Sequence, residues 1–204
     1  MCIRDSPWIM QRLVRGTEYC THSTVRAGKV QVYCCCESSA FQVNYEMADV
    51  PEIEAWVRGF VEPLKLTGQF SFDFMRTADG QVWPIECNPR THSAITMFYD
   101  HPDLARAYLE DDGPVISAPL PGSRATYWLY HELWRLVSQP WTAPARLATI
   151  RRGRDAIFDW SDPLPFLLVH HLQIPALLLG NLVRDTPWIR IDFNIGKLVE
   201  PAGD

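Results

Sequence analysis

The amino-acid sequence predicts an α+β fold: an antiparallel sheet with packed helices, followed by a C-terminal extension of mixed α/β structure. Three features lead to this prediction. Strand-like segments with short turns open the chain, one strongly amphipathic helix follows, and a second hairpin comes after it. Antiparallel strands and helices grouped in this way are typical of an α+β fold. The Pro- and Gly-rich stretch 113–123 separates a predicted domain over residues 7–112 from an extension over residues 124–204.

The first strands are predicted from β-prone residues that are bounded by turn residues. Residues 8–14, 18–26 and 29–37 are rich in β-branched, aromatic and cysteine side chains. Arg15–Gly16–Thr17 and Ala27–Gly28–Lys29 lie between them and supply the glycines that tight turns favour. We therefore expect three consecutive strands joined by short connections.

A helix is predicted over about residues 53–64, because the apolar residues recur there with helical spacing. They fall at i, i+3, i+4, i+7, i+8 and i+11 and so form one stripe: Ile53, Trp56, Val57, Phe60, Val61 and Leu64. Asp49 and Glu52 have the spacing of a capping box, and Pro51 suits the first turn of a helix.

Further along the chain the patterns are shorter. A second helix is expected to start after Pro102 and to run to about Glu110, and a final strand is expected around residues 188–193. The apolar stretch 164–183 predicts a buried helix that is broken near Pro175. Polar residues and glycine interrupt this stretch, so we do not expect it to span a membrane.

Residues 69–76 and 81–88 are predicted to form a hairpin around the turn Thr77–Gly80. With a turn of four residues, Asp73 would lie opposite Pro84. Because side chains alternate between the faces of a strand, one face of the hairpin should be apolar and packed against the core. The residues expected on that face are Phe70, Phe72, Ile85 and Cys87.

The other face of the hairpin is predicted to present Asp73, Glu86 and Asn88 together. Two neighbouring carboxylates repel each other unless a cation lies between them. Ligands that are all oxygen favour Mg²⁺ or Mn²⁺ over zinc. A solvated acidic face is the competing interpretation of an Asp and a Glu alone. The run from Pro84 to Arg90, which reads Pro-Ile-Glu-Cys-Asn-Pro-Arg, favours the metal site.

This arrangement resembles the ATP-grasp superfamily. Its signature is an acidic residue on one strand and the pattern Glu-x-Asn-Pro-Arg at the end of the next. The resemblance implies that Asp73, Glu86 and Asn88 bind one or two Mg²⁺ ions between the phosphates of ATP. It also implies a catalytic role for Arg90, which would face the transferred phosphoryl group or the acyl substrate.

The segment 8–18 resembles the strand that borders the adenine in the same superfamily. The resemblance implies that the backbone after Gln11, at Leu13 and Val14, binds adenine, and that Glu18 accepts hydrogen bonds from the ribose hydroxyls. Glutamine at position 11 departs from the commoner glutamate. Taken alone, the segment is equally consistent with an ordinary β-hairpin.

The chain resembles one ATP-grasp family, the mycosporine-glycine synthetases, most specifically in the C-terminal residues 162–166, 170–175 and 188–200, and also in residues 85–99. This resemblance implies an ATP-dependent ligase that phosphorylates the enolic oxygen of 4-deoxygadusol and forms a C–N bond to glycine. Two alternatives stay open. One is a different ATP-grasp carboxylate–amine ligase. The other is a truncated nucleotide-binding fragment without activity, since no lysine strand or glycine-rich phosphate loop of the superfamily precedes residue 7.

Composition restricts the partners and the compartment. The net charge of −5 over 204 residues argues against nucleic acid and favours small-molecule partners: ATP, an amino acid and an acidic acceptor. The six cysteines include the consecutive Cys34, Cys35 and Cys36 and contain no CxxC pair. This spacing suits reduced thiols in a cytoplasmic protein better than a disulfide scaffold or a zinc site. The sequence does not predict an oligomeric state.

Overall fold

A computed structural model describes residues 12–38, 44–183, 191–192 and 197–198. The chain divides into two compact units. The first comprises Met1–Ala40, Ala48–His92 and Asp103–Ser117, and the second comprises Phe41–Met47, Ser93–Pro102 and Ala118–Asp204.

The first unit is built on a four-stranded antiparallel sheet in the order β2–β1–β3–β4. Its strands are β1 (Thr17–Arg26), β2 (Lys29–Glu37), β3 (Gly68–Arg76) and β4 (Val82–Asn88). The sheet and its helices confirm the predicted α+β class. The predicted strand 8–14 is wrong over residues 12–14, which form no strand, and its earlier residues lie outside the described part of the chain.

Helix α1 (Pro51–Val61) covers the phenylalanine face of the sheet. Ile53, Val57 and Val61 are buried along its inner side. The Trp56 ring makes edge contacts with Phe72 and Phe74, with ring centroids 5.5 and 5.2 Å apart. This packing confirms the predicted apolar stripe from Ile53 to Val61. The prediction is wrong for Leu64, which lies beyond the end of the helix and is 56% exposed.

The start of α1 differs from the predicted capping box. Val50 occupies the N-cap position, and no side chain bonds to the first turn. Pro51 is the first helical residue. Proline lacks a backbone N–H, but an N–H at the start of a helix has no carbonyl partner within the helix, so no hydrogen bond is lost. The helix therefore begins by proline geometry rather than by an Asp49–Glu52 box. Helix α2 (Leu104–Leu109) completes the unit and is slightly shorter than predicted.

The register of the β3–β4 hairpin corrects the predicted pairing. Arg76 pairs with Val82, and the Thr77 N–H donates to the carbonyl of Gln81 (2.9 Å), so the connection contains five residues. A bulge then lies between Asp73 and Phe74. Asp73 consequently faces Glu86 and not Pro84.

The bulge has a local cause. Phe74 pairs with Pro84 and Asp73 with Glu86, so Ile85 is the extra residue on β4. Proline has no N–H to donate to the neighbouring strand, and it is tolerated at an edge strand or a bulge. Ile85 is 46% exposed and Cys87 is also exposed, so the prediction that they pack in the core is wrong. They lie on the edge strand, whereas α1 packs on Phe72 and Phe74 of β3.

The second unit combines short strands with several helices. Its strands are β5 (Thr126–Tyr127), β6 (Arg154–Asp155), β7 (Ile191–Asp192) and β8 (Lys197–Leu198). Strands β5 and β6 pair in parallel, and β7 and β8 pair antiparallel. Its α-helices are α3 (Leu129–Ser138), α4 (Ala143–Arg152), α5 (Leu164–Leu168) and α6 (Ile174–Val183), with 3₁₀ turns at Ser93–Phe98 and Pro140–Thr142.

The predicted break near Pro175 is wrong, because a π-helical turn (Val169–Gln173) joins α5 to α6. Such wide turns accommodate a proline ring without ending the helix. The prediction that this stretch is buried holds for Phe166 and Ile174 but not for Leu172 or Leu179, each 62% exposed. None of the helices in the described residues is long and apolar enough to cross a membrane. The expected strand 188–193 is described only at residues 191–192.

Candidate functional site

Three predicted ligands lie together at the β3–β4 bulge. Asp73 and Glu86 are direct cross-strand partners, and Asn88 is two residues beyond Glu86 on the same face. The Asn88 amide nitrogen donates to the Glu86 carboxylate (2.8 Å) and approaches that of Asp73 (3.5 Å). The amide N–H groups thus occupy the position between the two carboxylates that a cation would take.

The two carboxyl groups have opposite pKa shifts. Burial, and next a hydrogen bond shared with Glu86, raise the pKa of Asp73 to about 7. The Asn88 amide, followed by a proton on Asp73, lowers the pKa of Glu86, and the charge of Arg90 acts in the same direction. Carboxylates this close cannot both ionise freely without a compensating charge. Near neutral pH the pair therefore binds either a proton or a cation.

The donor set fits a hard divalent cation. Within the described residues, no three His, Cys, Asp or Glu side chains form a group that could hold a metal ion. The side-chain amide of Asn88, the remaining predicted ligand, provides an oxygen donor on the same face as the two carboxylates. The hydroxyl of Ser71, the residue opposite Asn88, is buried and has no hydrogen-bond partner in the described part of the chain. It supplies a further oxygen beside the pair, and Mg²⁺ accepts such oxygen-rich sites together with water.

An apolar cleft of about 570 Å³ lies near the carboxylates. Leu13 and Val14 form one side of it, and the hairpin residues Met75, Trp83, Pro84 and Ile85 form another. Met75 follows Asp73 by two residues on β3, so both point to the same face of the sheet. The structure thus brings the predicted adenine-binding residues Leu13 and Val14 to the hairpin. Gln11 lies outside the described residues.

Glu18 lies at the same face of the sheet. It pairs with Met75 across β1 and β3, and its carboxylate accepts a hydrogen bond from the Ser38 hydroxyl (3.0 Å). The carboxylate of Glu18, predicted to bind ribose, is therefore next to the apolar cleft. Asp73 lies two residues from Met75 along β3.

Gly16 is a residue whose importance the sequence did not reveal. A Cβ atom at this position would collide with the carbonyl group of Arg76. The absence of a side chain therefore permits the close approach of the segment that carries Leu13 and Val14 to the end of β3. The general preference of turns for glycine was visible in the sequence, whereas this contact depends on the fold.

Arg90 follows the metal-ligand candidates by two residues. It is exposed, and within the described part of the chain its guanidinium makes one long contact, to the Thr91 carbonyl (3.5 Å). Its charge is close enough to stabilise the ionised form of Glu86. The guanidinium is thus available to an anionic group at the same end of the sheet.

A buried histidine fixes the segment that follows Arg90, and sequence reasoning missed it. The backbone N–H of His92 donates to Nδ1 of His22 (3.2 Å), so the ring proton is on Nε2, which lies 2.8 Å from the Tyr108 hydroxyl. Burial lowers the pKa of His22 to about 3, so the ring is neutral. His22, Tyr108 and His92 come from three separate segments, so no local pattern relates them.

Comparison with known proteins gives only distant similarities. No family model matches the chain, and no curated protein matches it. Among solved structures, the phosphoribosylaminoimidazole carboxylase ATPase subunit of Aquifex aeolicus is 22% identical, with a TM-score of 0.40 over 52% of this chain and 38% of that one.

Two further structures are similar at the same level. N5-carboxyaminoimidazole synthetase of Staphylococcus aureus, complexed with ADP, is 15% identical, with a TM-score of 0.39 over 53% of this chain and 33% of that one. An ADP complex of N5-carboxyaminoimidazole ribonucleotide synthetase is 16% identical, with a TM-score of 0.38 over 60% of this chain and 37% of that one. The chain therefore spans well under half the length of these proteins.

Proposed function

We propose that the first unit binds a magnesium–ATP complex and is the nucleotide-binding part of an ATP-grasp ligase. The observation that carries this proposal is the convergence of Asp73, Glu86 and Asn88 on one face of the sheet. Next to them on that face are an apolar cleft of suitable size for a base and the carboxylate of Glu18.

Each group has a defined role in this proposal. The base lies in the cleft between Leu13, Val14 and the hairpin, and Glu18 accepts hydrogen bonds from the ribose. Asp73, Glu86 and Asn88 hold the magnesium that neutralises the phosphates, as phosphoryl transfer requires. Arg90 offers its planar donors to the transferred phosphoryl group or to an anionic acceptor.

The reaction that we propose is the ATP-dependent formation of a C–N bond. An acidic oxygen of the acceptor attacks the γ-phosphorus and ADP leaves. An amine then displaces the phosphate from the activated carbon. Phosphorylation turns a poor leaving group into a good one, and the role of the protein is to position the reactants and neutralise charge.

For the substrates we propose 4-deoxygadusol and glycine, on the ground of the sequence resemblance in residues 162–175 and 188–200. Another carboxylate and amine pair is the alternative within the same class of ligase. A nucleotide-binding module without turnover is the alternative outside it. ADP release measured with ATP, Mg²⁺, 4-deoxygadusol and a panel of amino acids distinguishes these three cases.

Nucleotide binding is tested separately from turnover. Isothermal titration with a nonhydrolysable ATP analogue and Mg²⁺ should show binding to the wild-type chain and a large loss in Glu86→Gln. Glu62→Gln, an exposed carboxylate at the end of α1, is the matched control and should bind as the wild type does. Equal binding by Glu86→Gln and wild type would remove the basis of the proposal.

A further inference from the structure

Two cysteines meet across neighbouring strands beside the carboxylate pair. Cys20 on β1 and Cys36 on β2 are directly opposite each other, and their sulfur atoms are 3.2 Å apart. Both are free thiols and both are buried. Residues directly opposite in an antiparallel pair have Cα atoms about 4.5–5.5 Å apart, within the range that a disulfide spans.

The pairing is specific among the three consecutive cysteines. Cys35 points to the opposite face of the sheet, where it pairs with Thr21, and Cys34 lies opposite His22. Cys36 therefore has a thiol as its cross-strand partner, whereas Cys34 and Cys35 do not. Cys20 has a second cross-strand partner on its other side, Asp73 of β3.

We propose that Cys20 and Cys36 are a redox modification site, a dithiol that closes reversibly to a disulfide next to the carboxylate pair when a hydroperoxide reaches it. The sulfur atoms need to approach from 3.2 Å to about 2.05 Å, which side-chain rotation can provide because the two strands are already paired. No change in strand register is required.

Hydrogen peroxide is the hydroperoxide that balances this oxidation. The Cys20 sulfur attacks one peroxide oxygen, the O–O bond breaks, and Cys20 becomes a sulfenic acid while water leaves. The Cys36 sulfur then attacks the Cys20 sulfur, the S–O bond breaks, and a second water leaves. Two thiols lose two hydrogen atoms in total, and one peroxide is reduced to two waters. A small dithiol such as dithiothreitol reverses the reaction by thiol–disulfide exchange.

Burial determines which oxidants act. Cys20 is 3% exposed and Cys36 is fully buried. A small uncharged oxidant such as hydrogen peroxide can enter where a bulky charged disulfide reagent cannot. Cys87 is exposed, so it should react readily with the bulky disulfide reagent, unlike Cys20 and Cys36.

The test uses the full chain carrying Cys87→Ser, which prevents disulfides between molecules at that site. The folded protein is treated with hydrogen peroxide, the remaining thiols are alkylated, and the digest is analysed by mass spectrometry without reduction. We expect a peptide pair joined through Cys20 and Cys36, lighter by two hydrogen atoms and lost on treatment with dithiothreitol. Since the bond joins β1 to β2 in their native register, the oxidised protein should also melt at a higher temperature.

Two variants provide controls. In Cys36→Ser the sulfenic acid on Cys20 has no thiol partner, so dimedone added together with a denaturant after the peroxide treatment should trap it, whereas the wild type should yield little adduct. Cys35→Ser changes the adjacent residue on the opposite face and should form the linked peptide as the wild type does. A wild-type chain that stays fully reduced in peroxide, or that accumulates the dimedone adduct as Cys36→Ser does, would overturn the proposal. Nucleotide binding is not measured, so this result is independent of the proposed ligase function.

Discussion

Asp73 and Glu86 face each other directly across β3 and β4, with the Asn88 amide donating hydrogen bonds to both carboxylates. A regular hairpin with a four-residue turn would leave them diagonal, about 7–8 Å apart between backbones. The five-residue connection and the bulge at Ile85 each shift the pairing by one residue, and together they bring Glu86 opposite Asp73. Two small irregularities thus make the two acidic residues direct cross-strand partners.

Replacing Glu86 by Gln should abolish most cation-dependent nucleotide binding while the fold is retained. Gln keeps the size of the side chain but not the charge that attracts magnesium. A loss of at least about tenfold in MgATP affinity, or ~1.4 kcal/mol, is expected. In thermal unfolding, the stabilisation on adding MgATP should shrink, because a ligand stabilises only through its affinity for the folded state. Without ligand, the variant should melt at or above the wild-type temperature, since one of two repelling carboxylates is gone.

The raised pKa of Asp73 predicts how stability and cation binding depend on pH. Its usual value of 3.8 rises to about 7 in the folded chain, so the folded state binds more protons than the unfolded state between these values. This contribution makes the free energy of unfolding fall as the pH rises from about 4 to 7. Mn²⁺ affinity, measured by electron paramagnetic resonance, should rise from pH 6 to pH 8 as the proton is lost. Asp73→Asn should weaken both trends; unchanged trends would show that another group titrates.

Substitutions of Asn88 separate its role as a hydrogen-bond donor to the two carboxylates from its proposed role as a metal ligand. Asn88→Asp removes the amide N–H groups that bridge the carboxylates and adds a third negative charge. The metal-free protein should lose about 1–3 kcal/mol of stability, and its affinity for Mn²⁺ alone should increase. Asn88→Leu should lose stability without any gain in Mn²⁺ affinity. Chemical denaturation and Mn²⁺ titration measure both effects, and equal Mn²⁺ affinity in the two variants would argue against position 88 as a ligand.

Gly16→Ala should weaken nucleotide binding through the position of residues 12–15. Its Cβ collides with the Arg76 carbonyl, so this segment must move away from the hairpin and the apolar cleft must widen. We expect a several-fold lower affinity for the ATP analogue, with Mn²⁺ affinity in the absence of nucleotide unchanged.

Gly59→Ala is the control for this substitution. Open space surrounds Gly59 in α1, so alanine there should stabilise the helix by about 0.5–1 kcal/mol and leave both affinities as they are. If Gly16→Ala also left nucleotide affinity unchanged, the cleft beside Leu13 and Val14 would not be the base site.

Local sequence patterns were sufficient for most of the first unit. The alternation in residues 18–37 and 68–88 and the apolar stripe of α1 depend on neighbours a few residues apart, so they can be read without knowing the fold. The same alternation correctly placed Asp73, Glu86 and Asn88 on one face of the hairpin. The burial of β4 was predicted wrongly, because position at the edge of a sheet depends on strand order and not on the strand itself.

By itself, then, the sequence determined the α+β class, the strands of the sheet, helix α1 and the shared face of the acidic residues and the amide. Only the tertiary structure decided that Asp73 meets Glu86 directly, that Cys20 lies between Cys36 and Asp73, and that His22 holds the segment after Arg90. The physical reason is the range of the interactions. Side-chain alternation and helical periodicity are set by the local backbone, whereas the exact register of paired strands depends on both strands together, and the order of strands and a buried hydrogen-bond network depend on groups far apart in the chain.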